Sequence, residues 1–418
     1  MTEPALPGEG AEAHAARHGG AEVLARALAA SRRDTLDIFA AYEAARPDLV
    51  VPLRAELNPP LWELGHIGWF QEYWIERNPA RAEGVRADPD VARHPPLRAG
   101  ADALYHSGRV AHDSRWSLPL PDAAATRADL AAQLAQSLRL LERTPDDDDA
   151  LYFHRLSLMH EDMHHEAALY MAQGLGIAIA DARWQPRPLP EPAAELAFDA
   201  GTWTLGCGEG TARGFVFDNE VGRADVPMAA YRIDAQVARW ADVLPFVEAD
   251  GYHERCWWSD AGWAWRRTHP APWPRYLRPK SGASSGASGG WQRLRHGRWA
   301  TLDLREAACH LTLHEAEAWC RWAGRRLPTE AEWERAALTG GAAFTWGAVW
   351  EWTASPFAPF TGFTPHPYRD YSALWFDGRP VLRGASFMTQ PRMRHPRYRN
   401  FFPAHRSDVP AGFRSCAL

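Results

Sequence analysis

Arg183-Trp184-Gln185-Pro186-Arg187-Pro188-Leu189-Pro190-Glu191-Pro192 carries proline at four alternate positions. Each proline lacks a backbone N–H and holds φ near its own fixed value, so neither a helix nor a paired strand continues through the stretch. An extended connector is expected, with different folding units on either side. At 418 residues the chain is longer than one ordinary core accommodates, which agrees with two domains.

Upstream, from about Ala21 to Ile179, the pattern is helical. Leu130, Leu134, Leu138 and Leu141 recur at three- and four-residue spacing and share one face. Pro145 and the acidic run Asp146 to Asp149 supply a break and then a helix start, since carboxylates favour the positive end of the next helix. Four such helices make a bundle. Downstream, Gly, Trp and short strand-like pieces take over, with helices expected at Val237 to Ala249 and Leu313 to Ala323, and a flexible Gly/Ser loop at Ser281 to Gly290. Of the 21 tryptophans many fall here, so aromatic packing rather than long sheets should hold this half. The fold class is therefore α+β, divided as a disordered tail over 1–20, a helical bundle over 21–184, a linker over 185–196 and a second domain over 197–418.

Bulk properties exclude some roles. A formal net charge of -6 offers no footprint for nucleic acid, and the basic run Arg392 to Arg397 reads as a solvated face or a small-anion site. No eighteen-residue apolar run occurs, so no membrane span is expected. The first twenty residues have no apolar core of signal-peptide length, and five scattered cysteines form no disulfide framework. Both point to the cytoplasm.

The chemistry concentrates in Leu158-Met159-His160-Glu161-Asp162-Met163-His164-His165-Glu166. On a helix, His160 and His164 face the same way. Spacing alone is weak: with 18 histidines about one such pair arises by chance, and His310/His314 is taken as that pair. Context separates them, because Leu156, His160, Met163, Ala167 and Met171 share the stripe that should face the bundle core. Two buried imidazoles need partners, either hydrogen bonds or a cation. His66, within Leu61-Trp62-Glu63-Leu64-Gly65-His66-Ile67-Gly68-Trp69, lies on another apolar stripe and is the candidate third ligand, with Gly65 allowing a facing helix to approach. Three neutral imidazoles suit Fe(II), zinc or copper alike. His160-Glu161-x-x-His164 is also a zinc-protease pattern with Glu161 as base, a reading that needs a later ligand the sequence does not offer.

The His66 segment and the His160/His164 helix resemble the DinB-like iron-binding bundle of the sulfoxide synthases of ergothioneine biosynthesis. The second half resembles the formylglycine-generating-enzyme/sulfatase-modifying domain, a variant of the C-type lectin fold. Its marks are Phe215-Val216-Phe217-Asp218-Asn219-Glu220, Arg326-Leu327-Pro328-Thr329-Glu330-Ala331-Glu332-Trp333-Glu334, Val349-Trp350-Glu351-Trp352-Thr353, Val381-Leu382-Arg383-Gly384-Ala385-Ser386-Phe387 and Gly412-Phe413-Arg414. Thr329 with Glu332 is a capping box, so a helix should begin at Glu330.

The resemblance implies Fe(II) on His66, His160 and His164, with dioxygen and the betaine hercynine as substrates. It also implies a hercynine pocket at Asn400 and Phe401, where an aromatic face suits a quaternary ammonium, and an assisting tyrosine at Tyr368 or Tyr371. Relatives that use gamma-glutamylcysteine carry an Asp where this chain has Phe402, and two Arg where it has His112 and Arg115. Loss of charged partners disfavours a charged peptide. Asn400-Phe401-Phe402, Asp408-Val409 and the ending Gly412 to Leu418 resemble the selenoneine-forming branch, which joins a selenosugar to hercynine. His112, Asp113 and Arg115 are then candidate sugar contacts. A sulfur-using synthase taking cysteine or gamma-glutamylcysteine is the alternative. A formylglycine-generating oxidase needs paired active-site thiols that Cys416 alone does not supply, and a non-catalytic binding module is the remaining reading.

Overall fold

The computed structural model describes residues 4–208, 213–280 and 290–418. The Gly/Ser loop expected at Ser281 to Gly290 lies outside them apart from Gly290. Ahead of the proline stretch the elements are helices: α1 (Ala11–His18), α2 (Ala21–Ala45), α3 (Pro60–Trp74), the short α4 (Ala101–Tyr105), α5 (Ala123–Leu141) and α6 (Asp148–Leu175). Their ends are chemically marked. Proline stands at the first position of α3, where its missing N–H costs nothing. The Asp122 and Asp147 side chains accept from Ala125 N and Ala150 N, and Gly176, in the left-handed region, closes α6.

The long helices α2, α3, α5 and α6 form the expected bundle around Trp62, Phe70, Leu151 and Leu156. Gly65 does give room, but to a ring rather than to a facing helix: a Cβ there would fall 2.3 Å from the Tyr105 ring. The start of the chain departs from expectation. Residues 11–18 are helical instead of frayed, because Ala13 and Ala16 are buried and Arg17 makes a buried ion pair with Glu220.

Beyond the connector come β1 (Leu196–Phe198), β2 (Gly201–Leu205), β3 (Ala224–Met228), β4 (Tyr231–Ile233), α7 (Trp240–Glu248), α8 (Asp260–Thr268), β5 (Leu277–Pro279), β6 (Trp291–Arg295) and β7 (Arg298–Thr301). They are followed by α9 (Leu313–Trp322), β8 (Arg325–Arg326), α10 (Glu330–Thr339), β9 (Trp350–Pro356), β10 (Pro380–Gly384), β11 (Asn400–Phe401), β12 (Ala411–Gly412) and β13 (Cys416–Ala417). The strands are short and fall into sheets of order β1-β4-β13-β8 and β11-β10-β9-β12, a β2-β3 pair and a β5-β6-β7 meander. Fully buried Trp333, Trp350 and Trp352 knit them together. Each indole N–H finds an acceptor: Glu351 for Trp333, Glu166 for Trp350 and the Leu311 carbonyl for Trp352. The capping box at Thr329/Glu332 is formed and opens α10.

Polar contacts tie α6 to the second half. Asp162 pairs with Arg392, and Glu166 accepts from Ser386, Thr389 and Trp350. Arg392 and His395 are therefore buried, and the basic run is structural rather than a solvated face. No helix among the described residues is long and apolar enough to cross a membrane.

Candidate metal centre

His66 on α3 and His160 and His164 on α6 converge. One ring nitrogen from each lies within 4.8 Å of the others, and the ring centroids stand 5.1, 5.0 and 4.5 Å apart. The helical period puts His160 and His164 one turn apart on one face, and the α3/α6 packing brings in the third ring. Neighbours lock each orientation. Trp62, one turn before His66, stacks on it at 4.7 Å with planes 9° apart, and Phe70 stacks on His160 at 3.5 Å and 5°.

Two ligand candidates have their Nδ1 engaged. His66 Nδ1 donates to the Tyr105 carbonyl at 2.8 Å, and His164 Nδ1 donates to Glu63 at 2.5 Å. Those bonds fix the tautomer and leave Nε2 of both rings with a free lone pair. His160 is buried with no hydrogen-bond partner on its Nδ1. Burial, with His164 nearby, pushes His66 down to about 3 and His160 well below its usual range, so both rings are neutral near pH 7. Glu63 is ionised: burial alone raises it, but His164 outweighs that and holds it below the normal carboxylate range. The donor set is thus three clustered imidazoles beside one fixed anion. It fits a divalent first-row cation, whose charge satisfies both the clustered lone pairs and the carboxylate.

Glu63 was missed in the sequence reading. Its signal was an acid on the apolar stripe-bearing first half of α3, three positions before His66; such an acid is buried only when it has a partner. Asn58 donates to its other oxygen at 2.5 Å and in turn accepts from Arg115 at 2.9 Å. Arg115 also lies over the Trp62 ring at 3.8 Å, and its Nε is buried without a partner. His112 contacts the Leu57 carbonyl at 2.9 Å, while Asp113 is exposed. Of these three residues only Arg115 connects to the histidine cluster.

From the second half, Tyr368 reaches the cluster, its ring 4.9 Å from Phe70 and 6.2 Å from His160. Tyr371 stacks on Phe217 and donates to the Tyr398 hydroxyl at 3.1 Å, so it stands one ring further out. Phe401 stacks on Phe357 at 4.2 Å and meets Tyr371 at 6.2 Å. Asn400, on β11 beside Leu382 of β10, spends one oxygen contact on Phe401 N and is half-buried. Phe402 lies against Arg406, which pairs with Asp408.

Two competing chemistries lose their key groups. The Glu161 carboxylate is held by Arg32 Nε and Nη2 at 2.8 and 3.1 Å in a buried ion pair, so it is not a base for hydrolysis at the cluster. The Cys416 thiol is buried on β13 and burial pushes it up to about 12, which denies it the thiolate that cysteine oxidation needs.

A hercynine oxygenase of Mycolicibacterium thermoresistibile is 30% identical over 442 residues, covering 94% of this chain and 94% of the relative. The chain belongs to the hercynine oxygenase family. A second family member, from Mycolicibacterium smegmatis, is 29% identical across 94% of this chain and 98% of its own length. The family's second half is marked here by a sulfatase-modifying factor enzyme 1-like domain, matched over residues 181–348. A formylglycine-generating enzyme of Streptomyces coelicolor is 28% identical over 177 residues, 39% of this chain and 54% of that enzyme. That likeness is to the second half of the family's architecture, whereas the histidine cluster sits on the helical half.

Proposed function

We propose that the chain is an oxygenase that joins a chalcogen atom to the imidazole ring of hercynine, using Fe(II) held by His66, His160 and His164. The observation that carries this reading is the convergence of three imidazoles, their rings held by neighbouring groups, in a chain of this family. Fe(II) held there would bring dioxygen and the chalcogen donor together and relay electrons from the substrates to dioxygen, which closed-shell substrates do not achieve unaided.

The protein's own groups do the rest. The Tyr105 carbonyl and the Glu63 carboxylate hold two rings in the ligating tautomer, and Trp62 and Phe70 keep water and alternative rotamers away. Tyr368 keeps its proton, because burial raises its pKa, and stands beside His160 as a proton donor. Phe401 and Asn400 offer an aromatic face and an amide for the betaine end of the substrate. In the balanced reaction one imidazole C–H and one chalcogen–H bond break and a carbon–chalcogen bond forms. Dioxygen takes four electrons, one oxygen leaving as water and the other staying on the chalcogen.

For the donor, we favour a selenosugar over cysteine or gamma-glutamylcysteine. Phe402 is apolar and the His112 ring is engaged with the Leu57 carbonyl where relatives that take the charged peptide carry Asp and Arg, and the buried Nε of Arg115, without a partner among the described residues, suits a hydroxyl oxygen. Anaerobic incubation of the enzyme with Fe(II), hercynine and each donor, followed by oxygen and mass analysis, decides. A hercynine adduct from the selenosugar and a much slower one from the thiols is expected. Product from the thiols alone removes the selenium assignment, and product from no donor removes the function.

A further inference from the structure

Another histidine pair with the spacing of His160/His164 occurs on α1, at His14 and His18. Their rings stack at 4.5 Å, and Glu9, just before the helix, closes the group: one ligand atom from each of the three residues lies within 4.8 Å of the others. The decisive observation is on Glu9. Its side chain is 1% exposed, one oxygen accepts from Leu6 N at 2.9 Å and lies 3.4 Å from His14 Nδ1, and the other, Oε1, is buried with no hydrogen-bond partner among the described residues. A carboxylate oxygen enclosed without a donor is costly to maintain and calls for a positive charge.

The His395 ring, which approaches Oε1, is no substitute. His395 Nε2 stands 3.8 Å away, too far for a hydrogen bond. Its Nδ1 accepts from Arg397 N, which puts the proton on Nε2 and excludes that atom as a ligand. Arg17, between the two histidines in sequence, is committed to Glu220 and to the Phe215 carbonyl.

We propose that Glu9, His14 and His18 form a second divalent-cation site, of the zinc class, distinct from the centre on α3 and α6. Two imidazoles and one carboxylate are a donor set for Zn(II) or Co(II). The site is structural. Phe215 N donates to the Arg17 carbonyl and Arg17 grips Glu220, so α1 is already docked against the second half, and a cation chelated by residues 9, 14 and 18 fastens the chain start to that seam.

The test is a Co(II) titration of the metal-stripped full chain, read by visible absorption and by metal stoichiometry after dialysis. The wild type is expected to hold one equivalent more than H14N/H18N, and Glu9→Gln is expected to weaken that extra site at least tenfold. The difference between the proteins is the readout, so it is independent of whether His66, His160 and His164 bind metal. Hydrogen exchange of residues 11–18 should slow on adding Zn(II) to the wild type and not to Glu9→Gln. Equal stoichiometry in wild type and H14N/H18N, or a Glu9→Gln protein with wild-type affinity and exchange, overturns the proposal. Glu9→Gln keeps the shape and the Leu6 contact, so it serves even where the double variant does not fold.

Discussion

Glu63 on α3 accepts a hydrogen bond from His164 on α6 across 101 residues of sequence, at 2.5 Å. That single contact orients a ligand candidate, fixes its tautomer and brings a negative charge to within one ring of the cluster. Replacing Glu63 with Gln keeps the shape but removes the charge, and is expected to weaken metal binding by roughly 10- to 100-fold. Fe(II) or Co(II) titration of the variant checks this, and unchanged affinity refutes the orienting role.

Tyr368 and Tyr371 separate by position. Tyr368 packs on Phe70 and His160, whereas Tyr371 is tied to Tyr398 and Phe217. Tyr368→Phe should lower kcat by about 10²-fold or more with little change in the KM for hercynine, the size expected for loss of a positioned proton donor. Tyr371→Phe should cost much less. Steady-state kinetics with both variants checks the ordering, and the reverse ordering assigns the role to Tyr371.

Glu161 is a stability residue. Its ion pair with Arg32 is buried on both sides, so Glu161→Ala strands a guanidinium and should cost about 3–5 kcal/mol. Urea unfolding measures the loss. The turnover of the protein that remains folded should be near that of the wild type, and a large selective fall in kcat would restore Glu161 to the chemistry.

Acid should destabilise the metal-free protein. Burial, the foremost cause each time, lowers His66 to about 3 and His154, His165, His310 and His366 to about 4. Their unfolded value is 6.5, so below it the unfolded chain binds protons that the folded chain does not. Each ring then removes about 1.4 kcal/mol per pH unit until its folded value is reached. Glu76, raised to about 8, and Asp218, raised to about 6, act in the opposite sense, as do Glu166, Glu306, Glu315 and Glu334, all raised by burial, but these six face ten histidines that burial lowers. Urea midpoints should therefore fall between pH 6.5 and pH 4, and a flat profile would contradict these burials.

Much of the architecture was legible along the chain. Alternate prolines marked the change from helices to short strands, aspartates marked the starts of α5 and α6, and the four-residue spacing of His160 and His164 put two imidazoles on one face. His66 was legible as a third candidate because it lies on an apolar helix. These signals are local, since helical period, capping and proline geometry act within a few residues.

What only the tertiary structure decided involves partners that are distant in sequence. It placed Glu63 under His164, directed Glu161 away from the cluster to Arg32, brought Tyr368 rather than Tyr371 beside His160, and turned the expected loose start of the chain into a helix clamped by Glu220. A buried charge is tolerated only where its counter-charge arrives, and no spacing along the chain states which distant residue will supply it. Local geometry is thus determined by neighbours in sequence, while the protonation and direction of each polar side chain await the packing of α2, α3 and α6 against the second half.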